Sequence, residues 1–181
     1  MKKLSTGLCV LMAIALVAFG VVYGTWSGYR EERAQVEELL TMENGMMDVL
    51  AYRAADGLNL CAVAKRHLNA EDEALKTLES ISRAQQQAQS FQPEMDAQLT
   101  AALETVIAKL MAADTFAQSA RDQRYLAMLQ ADLASLRNSE VVQAYNRAAE
   151  AFNTRLQSPL TGSFAMLLGI ESCPLYQQGG V

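Results

Sequence analysis

The chain has 181 residues, a formal net charge of −5 at pH 7 and three cysteines. Only 7% of its residues are aromatic, and it contains ten glycines and three prolines, so its composition favours helices over a β-sandwich. An acidic balance offers no electrostatic footprint for DNA or RNA, which excludes nucleic-acid binding.

The first predicted element is the stretch from Leu4 to Tyr29, which contains no charged side chain. A helix needs about 20 mostly apolar residues to cross a bilayer core, so this stretch predicts a transmembrane helix that anchors the chain in membrane lipid. Tyr23, Trp26 and Tyr29 lie at its far end, where aromatic rings favour the headgroup level. The predicted membrane-anchor residues are Leu8, Val10, Leu11, Ile14, Leu16, Val17, Phe19, Val21, Val22 and Trp26.

The flanking charges predict the direction of insertion. Lys2 and Lys3 favour a cytoplasmic N-terminus, which leaves everything after Arg30 outside the cytoplasm. The alternative is a cleaved signal peptide, with a mature chain that begins near Thr25. We favour the retained anchor, because the apolar run is longer than is usual in a signal peptide and passes into helical sequence without a linker.

The residues from Arg30 to about His67 predict one long helix with an apolar stripe on one face. The stripe consists of Val36, Leu39, Leu40, Met47, Leu50, Ala54, Leu58 and Cys61. Gly45 and Gly57 are expected to be tolerated within it, at up to about 1 kcal/mol each relative to alanine. Because nothing interrupts helix before Val36, the anchor and this helix are predicted to be continuous.

Two shorter helices are predicted next. Asn69 is the expected N-cap of the second helix, which runs to about Gln89. Pro93 is expected at the first position of the third helix, and residues 113–119 form a loop. The predicted inward-facing residues are Leu75, Leu78, Ile81 and Ala84 in the second helix, and Met95, Leu99, Leu103, Val106, Ile107 and Leu110 in the third.

A fourth helix is predicted from about Ala120 to Gln157, with an irregular step at residues 138–140 and an end at Ser158-Pro159. The order of lengths is therefore long, short, short, long. Short loops make neighbouring helices antiparallel, which predicts an all-α fold: an elongated antiparallel bundle with one N-terminal transmembrane helix. The predicted segments are an anchor (1–29), the bundle (30–157) and a membrane-proximal segment with a tail (158–181).

The uncharged residues 160–170 are too few to span a bilayer. Two interpretations remain open for them. The segment lies at the membrane interface, with Phe164, Leu167, Leu168 and Ile170 as contact residues, or it packs against the long helices. Residues 177–181 are predicted to be a loose tail.

Several motifs resemble the LemA family of bacterial membrane proteins. They are Tyr145-Asn146, Phe152-Asn153, Pro159 with the run from Phe164 to Ile170, and Arg53-Ala-Ala-Asp-Gly-Leu-Asn-Leu60. The resemblance covers roughly residues 30–176, although Leu58 stands where the family has proline. It implies a single N-terminal anchor in the bacterial inner membrane and a bundle of long helices, and it implies no established chemistry.

Five residues are candidates for a role in helix register or in an interaction: Asn59, Tyr145, Asn146, Phe152 and Asn153. Asn146 and Asn153 are seven residues apart, so they share a helix face. A buried asparagine in a helical seam fixes register, which is the interpretation we favour. The alternative is a polar groove that binds a partner.

The sequence predicts no catalytic, cofactor-binding or metal-binding residue. His67 is the single histidine, and no Glu-x-x-His pair accompanies it. An oxidising compartment permits a Cys61–Cys173 disulfide, but the predicted architecture separates the two cysteines, so none is expected.

Taken together, these features predict a non-enzymatic, membrane-anchored bundle that acts as an envelope scaffold or interaction module. Its partners would be membrane lipid, through the N-terminal helix, and an envelope protein or a second copy of itself. The alternative is an extracytoplasmic bundle that binds or senses a ligand.

Overall fold

The computed structural model describes residues 6–176, so Lys2, Lys3 and the predicted tail 177–181 lie outside the described residues. Within residues 6–176 the structure contains only helices, which confirms the predicted all-α bundle. The helices are α1 (Thr6–Thr41), α2 (Met46–Ala64), α3 (Glu73–Gln87), α4 (Pro93–Met111), α5 (Asp114–Ala117), α6 (Ala120–Arg137), α7 (Glu140–Leu156) and α8 (Thr161–Leu167).

The chain divides into two compact units. The first unit comprises Met1–Glu37 and Ala149–Cys173, and therefore most of α1, the end of α7 and all of α8. The second unit comprises Glu38–Ala148 and Pro174–Val181, and therefore the end of α1, the helices from α2 to α6 and the first half of α7. Each unit takes in a piece from near the C-terminal end of the chain.

The hydrophobic core of the second unit lies among four helices of similar length. α2 contacts α3, α4 and α6, and the short α5 packs against α4 and α6. The core residues are Ala54, Leu60, Cys61, Val63, Ala64, Leu75, Leu78, Leu99, Ala102, Leu103, Val106, Ile107, Leu110, Phe116, Leu126, Leu129 and Leu133. Burial of apolar area of this kind is the main stabilising contribution to such a bundle.

The predicted helix from Arg30 to His67 is interrupted, and the prediction of one unbroken helix there was wrong. α1 continues past the apolar stretch to Thr41, and α2 begins at Met46. Asn44 has a left-handed φ of 57°, and a Cβ on Gly45 would lie 2.6 Å from the carbonyl oxygen of Met42. Asn-Gly is a turn signal, and it outweighs the helix propensity of its neighbours.

The predicted helix from Ala120 to Gln157 is likewise two helices, α6 and α7, so this prediction was also wrong. Asn138 donates from its side chain to the carbonyl of Ala134 (2.9 Å), and the hydroxyl of Ser139 accepts from the N–H of Val142 (3.4 Å). Asn138 therefore satisfies the end of one helix and Ser139 the start of the next. The irregular step seen in the sequence is a helix break.

The start of α3 also differs from the prediction. Asp72 is its N-cap and accepts from the N–H of Ala74, whereas Asn69 makes a local turn by accepting from the N–H of Glu71. The start of α4 is as predicted, with Pro93 at its first position. Asn69 and Asp72 are both good capping residues, and they are only three positions apart, so residue type alone does not choose between them.

The inner face of α3 contains polar residues that an apolar pattern cannot reveal. Leu75 and Leu78 are buried as predicted, but the next buried positions are Ser82 and Gln85, and Ala84 is exposed. A Cβ on Gly57 of α2 would lie 2.4 Å from the hydroxyl oxygen of Ser82. Gly57 is therefore the residue that lets α2 approach α3 closely.

One helix near the N-terminus is long and apolar enough to cross a membrane by length and composition, a test that a signal sequence also passes. The apolar side chains of this helix do not contribute to a hydrophobic core, because none of the residues in its most apolar 18-residue segment is buried. Ile14, Leu16, Val17 and Phe19 are each between 65% and 68% exposed.

Candidate functional site

Tyr29, the last residue of the uncharged stretch, is buried in the first unit. Its hydroxyl donates to the carbonyl of Arg155 (3.1 Å) and lies 3.3 Å from the hydroxyl of Ser158 and 3.1 Å from that of Thr161. Its ring meets Phe152 edge-on, with the centroids 6.4 Å apart. The turn between α7 and α8 is thereby fixed to α1 at the end of the apolar stretch.

The side chain and backbone around Ser158 set the start of α8. The hydroxyl of Ser158 accepts from the N–H of Gly162 (3.0 Å) and lies 2.8 Å from that of Thr161. A Cβ on Gly162 would lie 2.0 Å from the carbonyl oxygen of Leu156, so only glycine allows this close approach. At the other end, Gly169 leaves the helix with a φ of 84°.

Most of the residues predicted to contact the membrane interface are exposed on or beside α8. Leu167 is 80% exposed, and Phe164 and Leu168 are also exposed. Leu160, which was not among the predicted contact residues, is 84% exposed. Ile170 is buried, because the chain turns inward after Gly169. Exposure of several large apolar side chains on one short helix is unusual on a water-facing surface.

Charged side chains begin where the apolar stretch ends. In the first unit, Arg155 forms an ion pair with Glu32 and stacks on Tyr29, with its Cζ 5.1 Å from the ring centroid. Arg33 pairs with Glu37 (3.0 Å) and donates to the carbonyl of Glu171 (3.3 Å). Tyr29 therefore marks a polarity boundary within this unit.

Asn153 holds a residue of the helix-free segment that follows α8. Its amide donates to the carbonyl of Cys173 (2.8 Å) and accepts from the N–H of the same residue (2.8 Å). In the second unit, Asn146 makes the same pair of hydrogen bonds with Tyr176 (3.0 and 2.9 Å). A primary amide satisfies both backbone groups of a residue that no helix or sheet satisfies.

The other register candidates divide between support for this segment and exposure. Tyr145 is buried, donates to the carbonyl of Pro174 (2.6 Å) and packs edge-on against Phe91. Phe152 is buried against Tyr29. Asn59 is exposed on α2 and lies outside any buried seam, so the register interpretation does not fit it.

A buried ion pair between Arg53 and Asp96 was not foreseen. Arg53 donates to Asp96 and, through Nη2, to the hydroxyl of Thr100 (2.9 Å), and its Cζ lies 5.5 Å from the ring centroid of Tyr176. Burial raises the pKa of Asp96 and raises that of Tyr176 to about 12. The Nε of Arg53 has no hydrogen-bond partner within the described part of the chain.

His67 belongs to a cluster that joins helix ends. Its Nε2 lies 2.8 Å from Asp122 and its Nδ1 3.2 Å from the hydroxyl of Thr115. Asp122 also accepts from Arg66 (2.7 Å) and Ser119 (3.1 Å). The hydrogen bond from His67 lowers the pKa of Asp122. The arrangement links the end of α2 to the start of α6.

The thiols at Cys61 and Cys173 are both free and buried, and they belong to different units. Burial raises the pKa of Cys173 and raises that of Cys61 to about 11, which keeps both in the unreactive thiol form. Among residues 6–176, no three His, Cys, Asp or Glu side chains lie close enough to hold a metal ion.

A regular spacing of glycines in α1 was not predicted to have a role. Gly20, Gly24 and Gly28 recur every fourth residue, and a Cβ on any of them would meet nothing within 4 Å. Gly-x-x-x-Gly in an apolar helix is a pattern typical of close helix pairing.

Comparison with known proteins returns no relative: the chain matches no family model, no curated protein and no solved structure.

Proposed function

We propose that the chain is a single-pass membrane protein with no catalytic step, whose helical bundle acts as a scaffold or interaction module in a bacterial envelope. The observation that carries the proposal is the exposed apolar surface of α1, which runs from Leu8 through Phe19 to Tyr23 with none of the residues in its most apolar 18-residue segment buried. A surface of this length matches the hydrocarbon core of a bilayer. The lysines at positions 2 and 3 favour a bundle outside the cytoplasm.

The first unit supports a second contact with lipid, made by α8. Tyr29 stands at the headgroup level in this proposal, and its hydroxyl lies against Ser158 and Thr161 at the start of α8. Leu160 and Leu167 then insert at the interface, while Arg155 and Glu32 remain in water.

The resemblance to the LemA family enters as part of this proposal. Two of the motifs that carry it, Tyr145-Asn146 and Phe152-Asn153, hold the helix-free segment and the junction at Tyr29. A divergent member of that family is expected to keep these residues because they build the fold.

Membrane insertion is tested by fractionation of cells that express the full chain. We expect the protein to resist alkaline extraction and to start at its own N-terminus by intact mass. Arginine at positions 14 and 17 (Ile14→Arg, Val17→Arg) costs about 2.5–3.5 kcal/mol per residue at a helix centre and should release it from the membrane. Leucine at the same positions is the matched control. A soluble product that begins near Thr25 would contradict the anchor.

The interfacial contact is tested by tryptophan fluorescence in vesicles that contain brominated lipid. In a Trp26→Phe background, Leu167→Trp should be quenched, whereas Gln35→Trp, an exposed position of α1 beyond Tyr29 in the same unit, should be quenched much less. Equal fluorescence of Leu167→Trp in brominated and ordinary vesicles would remove α8 from the interface.

The interaction role is tested by crosslinking in intact cells, with self-association as the partner that α1 favours. We expect a crosslinked dimer that Gly24→Ile abolishes and Gly24→Ala retains, because alanine keeps the helix surface small. Recovery of free monomer alone, for the unaltered chain, would count against the scaffold.

A further inference from the structure

We propose that the second unit contains a binding site for the phosphate group of a small molecule or a lipid, in a cavity between α2 and α6. The cavity has a volume of about 450 Å³, which is in the range of small-molecule sites. This site goes beyond the proposed scaffold function and is independent of it.

The cavity is basic, although the chain as a whole is acidic. Arg66 of α2 and Arg121 and Arg124 of α6 line it, and Asp122 is the one acidic residue in its lining. In the described part of the chain, Arg121 and Arg124 have no ion-pair partner. Two guanidinium groups therefore remain free to bind an anion.

The third guanidinium is already positioned. Arg66 donates to one oxygen of Asp122 (2.7 Å), while His67 and Ser119 bind the other oxygen (2.8 and 3.1 Å). Because Asp122 is held by three partners, it neutralises one arginine and orients it without occupying the other two. A planar guanidinium with fixed orientation binds phosphate oxygens in pairs, which favours a phosphate over a single-point anion.

The remaining wall suits the organic part of a ligand. Tyr125 is 40% exposed and Met128 is 62% exposed, and both line the cavity. A ring that stands partly free offers a stacking surface, and a flexible thioether adapts to different shapes. Asn59, exposed on α2, adds an amide that also hydrogen-bonds the carboxylate of Asp56. These features fit a phosphate monoester that carries a flat or apolar group.

The test is titration calorimetry of the full chain in neutral detergent micelles. The probes are inorganic phosphate, adenosine 5′-monophosphate, and adenosine as the uncharged control. We expect the monophosphate to bind more tightly than phosphate, adenosine not to bind, and the affinity to fall with added salt. The Arg121→Gln/Arg124→Gln variant should lose at least about tenfold in affinity.

Arg147→Gln is the control for the Arg121→Gln/Arg124→Gln variant, because Arg147 is an exposed arginine of α7 outside the cavity. It should leave binding unchanged. Arg124→Lys should bind with intermediate affinity, since it keeps the charge and loses the paired donors. Circular dichroism of each variant checks that the helices remain.

Vesicles of phosphatidic acid, whose headgroup is also a phosphate monoester, distinguish the source of the phosphate. Arginine-dependent binding of the soluble monophosphate identifies a free metabolite, and arginine-dependent binding to vesicles alone identifies a lipid headgroup. The proposal is overturned if no probe binds, or if Arg121→Gln/Arg124→Gln and Arg147→Gln bind every probe equally well.

Discussion

At the scale of single residues, Asn146 and Asn153 make the same pair of hydrogen bonds to two different backbone residues. Each uses one amide to bind both polar groups of a backbone residue, Tyr176 and Cys173 respectively. Without such an amide, a helix-free residue that packs against a helix would leave its N–H and C=O without partners.

Replacement of Asn153 by alanine should loosen the segment around Cys173. Loss of both hydrogen bonds leaves two poorly solvated backbone groups, at an expected cost of about 1–3 kcal/mol. The measurement is the rate of thiol labelling, read for each cysteine by mass spectrometry. Cys173 should react faster than in the unaltered chain, while Cys61, buried in the other unit, serves as the internal control. Equal acceleration at both cysteines would indicate global unfolding instead.

Arg53 and Asp96 form a buried pair whose single and double replacements should differ. Asp96→Ala leaves a buried guanidinium without its carboxylate and should cost about 3–5 kcal/mol. Arg53→Met with Asp96→Leu removes both charges and should lie close to the unaltered chain in urea unfolding. A double variant as unstable as the single one would contradict this expectation. It would mean that the pair stabilises the fold through packing and the hydrogen bond to Thr100, and not through charge balance.

At the scale of helices, α8 is a short element that can lie close to the end of α7 only because position 162 is glycine. Gly162→Ala would bring a Cβ to within 2.0 Å of the backbone at Leu156, which has no freedom to move aside. We expect α8 to separate from the end of α7 and to lose protection against amide hydrogen exchange. Gly28→Ala, where a Cβ meets nothing, should keep this protection and even favour helix by about 1 kcal/mol.

The sequence predicted helix ends well where a proline marks them. Pro93 opens α4, and α7 ends one residue before the predicted Gln157. It failed where a helix is broken by residues that helices also tolerate. Asn44-Gly45 breaks the first long helix because Asn44 adopts a left-handed φ of 57°, a conformation that an apolar periodicity cannot indicate.

The candidate sites were also only partly predictable from the sequence. The spacing of Asn146 and Asn153 was visible, but their partners lie in residues 173–176, which have no periodicity to indicate burial. The basic cavity joins Arg66 to Arg121 and Arg124, residues more than 50 positions apart in the sequence. Only the packing of α6 against α2 brings them together.

At the scale of the whole molecule, the second unit is completed by a residue from near the end of the chain. Tyr176 is 3% exposed, lies 6.3 Å from Phe91 between ring centroids and stacks against the guanidinium of Arg53. Contacts between residues this far apart in the sequence form late in folding. The four-helix core is therefore expected to reach its full stability only when Tyr176 packs onto it.

Tyr176→Ala should therefore destabilise the second unit by about 3–5 kcal/mol, the usual cost of a buried aromatic side chain. Tyr176→Phe is the matched control, because it keeps the ring, its packing against Phe91 and its position over Arg53. Urea unfolding followed by circular dichroism measures both. A Tyr176→Ala variant as stable as the control would mean that the helix-free segment rests on a core that is already complete.

The phenol of Tyr176 is also expected to make the stability of the second unit decrease at alkaline pH. Burial raises the pKa of Tyr176 to about 12, above the value of about 10 for an unfolded chain. A group whose pKa is raised by folding contributes stability that is fully present below pH 10 and is lost as the pH rises towards 12. We expect the urea midpoint of the unaltered chain to fall across this interval more steeply than that of Tyr176→Phe. Parallel curves for the two proteins would show that the phenol already titrates as if it were in water.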